Sequence, residues 1–262
     1  MKSKSISIHS SRGGTGKTLI STNLAVLYAQ KGLNVALIDI DLRAPSLFGV
    51  FSKVLKSPIE CWLNDYFDGR CPAQNIFIDL SKELRTKGKL LVGFANPNVE
   101  VIRSTMDRSR AWEVAVIKRL FSLRTKLFDE LGVNLSLLDT SPGVQYTSVN
   151  AVVSSDLSIV VTTPDSLDLS STESMIRELY DAFEKKTVVL INKFFPEARA
   201  SKIEAKKETL LRIEQSIGRP VIGTIPCYCD VLQTDRSKIL AAEKPNHPFV
   251  GGLKFIAAKL EE

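Results

Sequence analysis

Close to the amino terminus the chain reads Ser11-Arg12-Gly13-Gly14-Thr15-Gly16-Lys17-Thr18-Leu19, and the chemistry open to these residues is the grip of a polyphosphate. Glycines in a turn between strand and helix let consecutive backbone N–H groups face inward, and the start of the helix adds partial positive charge. A lysine followed by a threonine at the end of such a turn reaches the β- and γ-phosphates and holds Mg2+, respectively. The segment follows an apolar run containing Ile6 and Ile8 and precedes a helical pattern from Leu19 to Tyr28, the context this chemistry needs. Gly13, Gly14, Thr15, Gly16, Lys17, Thr18 and Leu19 are therefore the expected nucleotide-binding residues.

Acidic residues close two later apolar runs. Leu37-Ile38-Asp39-Ile40-Asp41 ends one of them, and the two-residue spacing leaves both carboxylates on the same side of a strand. Leu137-Leu138-Asp139-Thr140-Ser141-Pro142-Gly143 ends the other, with an aspartate suited to a metal shell and a glycine whose N–H is placed to sense a γ-phosphate. Phosphoryl transfer asks mainly for positioning and charge neutralisation, which this set supplies.

The loop departs from the common GxxxxGK[ST] form, because Ser11 stands where the first glycine belongs. In its place Arg12-Gly13-Gly14-Thr15-Gly16-Lys17-Thr18 resembles the deviant Walker A ATPases of the ParA/MinD superfamily, whose loop reads KGGxGK[ST]. The resemblance implies a sandwich dimer in which the residue at position 12 reaches the partner's nucleotide; arginine keeps the charge there but is not interchangeable with the family's lysine. On the same matching Asp39 helps order the Mg2+ shell and Asp41 positions the attacking water, so Lys17, Asp41 and Arg12 are the implied catalytic set and Thr18, Asp39 and Asp139 the metal set. Pro142 lies one position later than in the family's D-x-P-x-G segment. Asn192-Lys193 resembles the strand-end asparagine that reads adenine, although a turn or capping role fits the same residue. Gly223-Thr224-Ile225-Pro226 with Asp230 resembles the G-x-I-P-x-D segment beside the base, and Thr162-Thr163-Pro164 the family's TTP. No acid follows Lys193, so ATP is preferred over GTP.

The elements that must position these residues are legible as apolar runs over 6–8, 35–40, 90–92, 135–138, 157–161, 188–191 and 221–225, alternating with helical patterns. Runs rich in Val, Ile and Leu with little polar alternation predict strands buried on both faces, and their alternation with helices predicts a mainly parallel sheet. Ligands in such sheets lie beyond the carboxyl ends of the strands. Together with the resemblance, this gives an α/β fold: a single doubly wound P-loop NTPase domain over residues 1–262, with helices on both faces of the sheet. Residues 60–67 and 111–131 read as helical. Arg108, Arg110, Lys118, Arg119, Arg124 and Lys126 on and before the second stretch either touch DNA phosphates without sequence preference or cover the outside of a helix whose Leu120, Leu123, Leu127 and Leu131 face the core. Between Lys202 and Arg219, alternating charges and the stripe Ile203, Leu210, Ile217 predict a solvated amphipathic helix.

The chain has 262 residues and a formal charge of +6, which permits contact with an anionic surface without demanding it. No run approaches the roughly 18 apolar residues of a membrane span, and Met1-Lys2-Ser3-Lys4 leads into a strand instead of an export signal; a cytoplasmic location is expected. Cys61, Cys71, Cys227 and Cys229 fit a reducing compartment and show no disulfide framework. The Cys227-Tyr228-Cys229 pair is either half of a metal site across a dimer or incidental. Residues 249–262 carry apolar positions suited to docking on the body and close with Glu261-Glu262, so direct membrane binding is disfavoured.

The resemblance implies a switch that dimerises on ATP, dissolves the dimer by slow, partner-stimulated hydrolysis, and positions a chromosome or plasmid locus, a division site or a polar organelle. It also leaves open a metallocluster carrier, whose surface CxxC is missing here, and an adaptor that binds nucleotide without turning it over.

Overall fold

The computed structural model describes residues 3–195, 204–235 and 237–261. Eight strands form one sheet: β1 (Lys4–His9), β2 (Val35–Asp39), β3 (Phe77–Asp79), β4 (Leu90–Gly93), β5 (Leu135–Asp139), β6 (Leu157–Thr162), β7 (Thr187–Phe194) and β8 (Val221–Pro226). Their order is β3-β4-β2-β5-β1-β6-β7-β8, and every neighbouring pair is parallel except β3 with β4. The seven apolar runs are the seven parallel strands. β3 has no counterpart in the sequence reading, because three residues that are only partly covered, pairing with one edge, leave no hydrophobic period to detect.

All residues of β2, β5 and β6 are buried, as a sheet covered on both faces requires. On one face helix Lys17–Gln30 packs beside helix Pro248–Glu261, which also rests on β8, and Ile20, Leu24, Tyr28, Phe249, Leu253 and Ile256 share one core. Each such side chain contributes about 1.5–3 kcal/mol by leaving water, so the helix that carries Lys17 and Thr18 is held by its surroundings around most of its circumference. The Tyr28 hydroxyl donates to the Ala257 carbonyl at 3.0 Å, which fixes the carboxyl-terminal helix on the body. The opposite face is covered by helix Arg110–Asp129 through Val116, Leu120, Leu123 and Leu127.

Local caps moved two helix boundaries. In the stretch 60–67 only Leu63–Phe67 is helical, because Trp62 is extended and its N–H donates to Asp65 Oδ2 at 3.0 Å, starting the helix there. The long helix starts one residue earlier than expected, with Ser109 as its cap, and ends at Asp129, so Leu131 lies beyond it. Three of the basic residues near that helix are held within the molecule: Arg108 by Asp68, Arg124 by Asp156, and Arg119 over the Tyr66 ring. Helix Glu204–Ile217 packs Leu210 and Ile217 of the expected stripe on the core together with Ile213, which the stripe did not include; Lys202 and Ile203 lie outside the described residues.

One expectation is corrected. Cys61 and Cys71 form a disulfide across a Cα–Cα separation of 6.4 Å, while Cys227 and Cys229 are free. The physical reason is the return of the chain after Phe67, where the Arg70 N–H donates to the Asp65 carbonyl and Arg70 pairs with the carboxylates of Asp65 and Asp68. No helix among the described residues is long and apolar enough to cross a membrane.

Candidate functional site

Strand order brings the carboxyl ends of β2, β5, β1 and β7 to one edge, and the turn after β1 lies in the middle of it. A cleft of about 980 Å3 opens there, lined among others by Gly14, Lys17, Thr18, Asp41, Asn192 and Pro226, with Leu19 and Gly13 also on its wall. Gly16 caps helix Lys17–Gln30 at φ 100°, and a Cβ on it would lie 2.3 Å from Asn192 Nδ2. Both facts demand glycine at this position. Asn192 donates to the Thr15 carbonyl at 2.7 Å and Lys193 Nζ to the Gly14 carbonyl at 2.7 Å, so the end of β7 clamps the loop from outside. Neither contact was expected from the sequence.

Lys17 is buried, with Nζ donating to Ser10 Oγ at 2.8 Å. Burial lowers its pKa, opposed by the charges of Asp139 and Asp41. Thr18 Oγ1 and Ser46 Oγ are 3.1 Å apart. Asp39 and Asp139 sit opposite each other in the β2–β5 register, both fully enclosed, yet their surroundings differ. Asp39 accepts backbone N–H groups from Asp41, Ser46 and Leu47 at 3.0–3.2 Å. Its carboxylate thereby shapes the turn that presents Asp41 and Ser46. Neither oxygen of Asp139 makes a hydrogen bond of good geometry, although the Thr18 and Ser21 hydroxyls are near enough to favour its charged form. Burial first, and Asp139 second, push the Asp39 pKa well above the usual carboxylate range. Burial pushes Asp139 up to about 6, with the nearby Thr18 hydroxyl and Lys17 charge acting against it. Asp41 accepts from Ser141 Oγ at 2.6 Å and from the Ala44 N–H at 3.0 Å.

A buried carboxylate without partners, next to a threonine hydroxyl and a lysine at the head of a helix, is an arrangement that fits a hard divalent cation. Mg2+ on a nucleotide takes few protein ligands, typically one or two carboxylates besides phosphate and water. Among the described residues no group of three or more His, Cys, Asp or Glu within one chain is arranged to hold a metal ion, Cys227 and Cys229 included.

Two of the expected residues stand differently from the rest. Arg12 lies on the rim, 47% exposed, with Nε 3.4 Å from Asp168. Gly143, at φ 74°, has its N–H donating to the Ser10 carbonyl at 2.8 Å, so contact with a γ-phosphate requires that bond to be exchanged. Pro226 and Cys227 stand on the far wall, and Asp230 pairs with His247 at 2.9 Å.

His9 was missed as a site residue, because nothing in its local sequence distinguishes it from a buried strand residue. Its Nε2 lies 2.8 Å from the Gly143 carbonyl and its Nδ1 2.6 Å from the Tyr180 hydroxyl, both rings being fully enclosed. A carbonyl only accepts, so Nε2 carries the proton, and neutral Nδ1 accepts from Tyr180. Burial lowers the His9 pKa from 6.5 to about 4, with the Gly143 carbonyl opposing and Lys17 reinforcing the shift. The unfolded chain then binds a proton that the folded chain refuses between those values. Stability is accordingly lost as pH falls through this window, by about 3 kcal/mol in all. Asp39 and Asp139, whose pKa values burial raises, act in the opposite direction over this window, so the His9 share is the difference between the native sequence and His9→Gln in urea unfolding at pH 7 and pH 4.5; identical pH responses of the two would assign His9 no share.

A family model described as the CobQ/CobB/MinD/ParA nucleotide binding domain matches residues 6–238. The chain is 26% identical over 243 residues to a putative septum site-determining protein MinD of Guillardia theta, covering 90% of this chain and 80% of that one. The structure of septum site-determining MinD from Pyrococcus horikoshii, complexed with Mg-ADP, aligns at a TM-score of 0.76 and 20% identity over 99% of this chain and 96% of that chain. A putative plasmid partition protein of Borrelia burgdorferi bound to AMPPNP aligns at 0.75 and 19% identity, over 100% of this chain and 99% of that chain. At these identities the structural likeness is one of fold.

Proposed function

Since the chain belongs to the CobQ/CobB/MinD/ParA nucleotide-binding family, we infer that it binds ATP with Mg2+ in the cleft behind β1 and hydrolyses it as a dimerising switch. The observation that carries this reading is Asp139, a buried carboxylate with both oxygens unpartnered, beside Thr18 and within reach of the Lys17 charge. Thr18 and Asp139 would hold the ion, and neutralisation of the β- and γ-phosphates is the chemistry it supplies when bound. Lys17 exchanges the Ser10 hydroxyl for phosphate oxygens, and the N–H groups of the glycine loop complete the cradle. Asp39 holds the turn that carries Asp41 and Ser46, which leaves Asp41 at the cleft wall to orient a water molecule. Asn192 and Pro226 bound the space for the base.

Arg12 is half exposed at the rim, where a second copy of the chain facing the cleft would bring its nucleotide within reach. Guanidinium is well suited to phosphate oxygens, and Arg12 is the half-exposed end of its tie to the more covered Asp168, held at 3.4 Å. Positioning of a DNA locus, a division site or an organelle through a regulatory partner is the role of this family type; the division and partition relatives support either cargo equally.

The experiment is the solution mass of Asp41→Ala with Mg·ATP and with Mg·ADP. Without its water-orienting carboxylate the protein should be trapped as a dimer in ATP and remain a monomer in ADP. A monomer in both, with ATP shown to be bound, would overturn the switch and leave a nucleotide-binding adaptor.

A further inference from the structure

Helix Ser166–Met175 and the π-helical turn Ile176–Tyr180 that continues it run along one flank of the phosphate loop. They touch the loop at two points and the end of β1 at a third. Asp168 pairs with Arg12 at 3.4 Å, the Thr172 hydroxyl meets that of Ser11 at 3.0 Å, and the Tyr180 hydroxyl meets His9 Nδ1 at 2.6 Å. Residues four apart drift about 40° per step around a helix of 3.6 residues per turn, which would carry Tyr180 off this flank. The wider turn of the π segment removes part of the drift, and π turns are frequent at functional positions.

At the inner end of this strut, both polar groups of Gly143 are engaged by the end of β1. The carbonyl accepts from His9 Nε2 and the N–H donates to the Ser10 carbonyl, each at 2.8 Å. These groups belong to different peptide planes, one after Gly143 and one before it. Holding the first leaves the second free to turn about the glycine φ, now 74°, a freedom that a side chain at positive φ would remove.

We propose that His9, oriented by Tyr180, is a positioning residue that holds the Gly143 turn as a pivot, so that the Gly143 N–H exchanges the Ser10 carbonyl for the terminal phosphate of a nucleoside triphosphate. The pivot rests on the ATP-site reading above and deepens it, because it names the residues that let the site distinguish triphosphate from diphosphate. A diphosphate leaves the latch closed. A triphosphate opens only its N–H half, and the carbonyl half keeps the turn from wandering.

The test is the affinity of the full chain for a fluorescent non-hydrolysable ATP analogue and for fluorescent ADP, each with Mg2+. His9→Leu is expected to weaken the analogue about 5- to 10-fold, the worth of one positioned hydrogen bond, while leaving ADP unchanged. His9→Gln, whose amide nitrogen can donate to the same carbonyl, should restore most of the preference. Tyr180→Phe removes only the hydroxyl that selects the tautomer and should shift the ratio the same way by a smaller factor. It also decides the matter if His9→Leu does not fold. An equal loss for both nucleotides, or an unchanged ratio in Tyr180→Phe and His9→Leu, overturns the pivot alone. A native chain that binds neither nucleotide overturns the ATP reading and the pivot with it.

Discussion

Lys17→Ala is expected to weaken ATP binding by about 10²- to 10³-fold, because hydrogen bonds to charged groups are worth about 1.5–3 kcal/mol each and Lys17 can offer at least two. Its ammonium is buried at the head of helix Lys17–Gln30 and holds nothing but the Ser10 hydroxyl. Burial makes this cation costly to keep, a cost that Asp139 and Asp41 offset in part and a bound phosphate would offset further. The same substitution leaves Asp139 and Asp41 without the cation that faces them, so the nucleotide-free variant should not gain stability. Titration with a fluorescent ATP analogue measures the effect, and an affinity within a few-fold of the native chain would remove Lys17 from the phosphate site.

Asp139→Asn should separate stability from function. Asp39 and Asp139 face each other across β2 and β5, both enclosed, and Asp139 has no partner for either oxygen. Two enclosed like charges disfavour each other, and an unpaired buried carboxylate is expensive to desolvate. Removing the charge is therefore expected to stabilise the protein without Mg2+ by about 1–3 kcal/mol, while ATP hydrolysis falls by about 10²- to 10³-fold. Chemical denaturation in chelator, beside phosphate release with Mg2+, checks both halves. A destabilised variant with native turnover would mean that Asp139 is a structural residue. Asp39→Asn makes a useful contrast: its carboxylate accepts three backbone N–H groups, so loss of its charge should loosen the turn that carries Asp41 and Ser46.

These two aspartates also mark how far the chain could be read before its structure. Their positions at strand ends, the phosphate loop and the seven parallel strands follow from patterns that are local: apolar runs, glycine spacing, and an acid closing a run. Such patterns survive in one dimension because backbone geometry and burial on both faces impose them residue by residue. The role of each carboxylate does not survive in the same way. Asp39 and Asp139 have similar sequence contexts, and only the path of the turn after β2 decides which one is filled by backbone N–H groups and which is left open.

Some features were legible only in part. Asn192 stood out as a strand-end amide, but its bond to Thr15 spans 177 residues and depends on β7 lying two strands from β1. Cys61 and Cys71 meet because the chain turns back after a five-residue helix, a short element with little periodicity. By itself the sequence determined the fold class, the nucleotide loop and the order of the acidic motifs, since each is encoded in neighbouring residues. The tertiary structure alone decided which carboxylate is left open, what clamps the loop, and that Tyr180, 171 residues from His9, orients the imidazole that holds Gly143. Those contacts depend on strand order and on side chains meeting across elements, and no stretch of the chain carries that information locally.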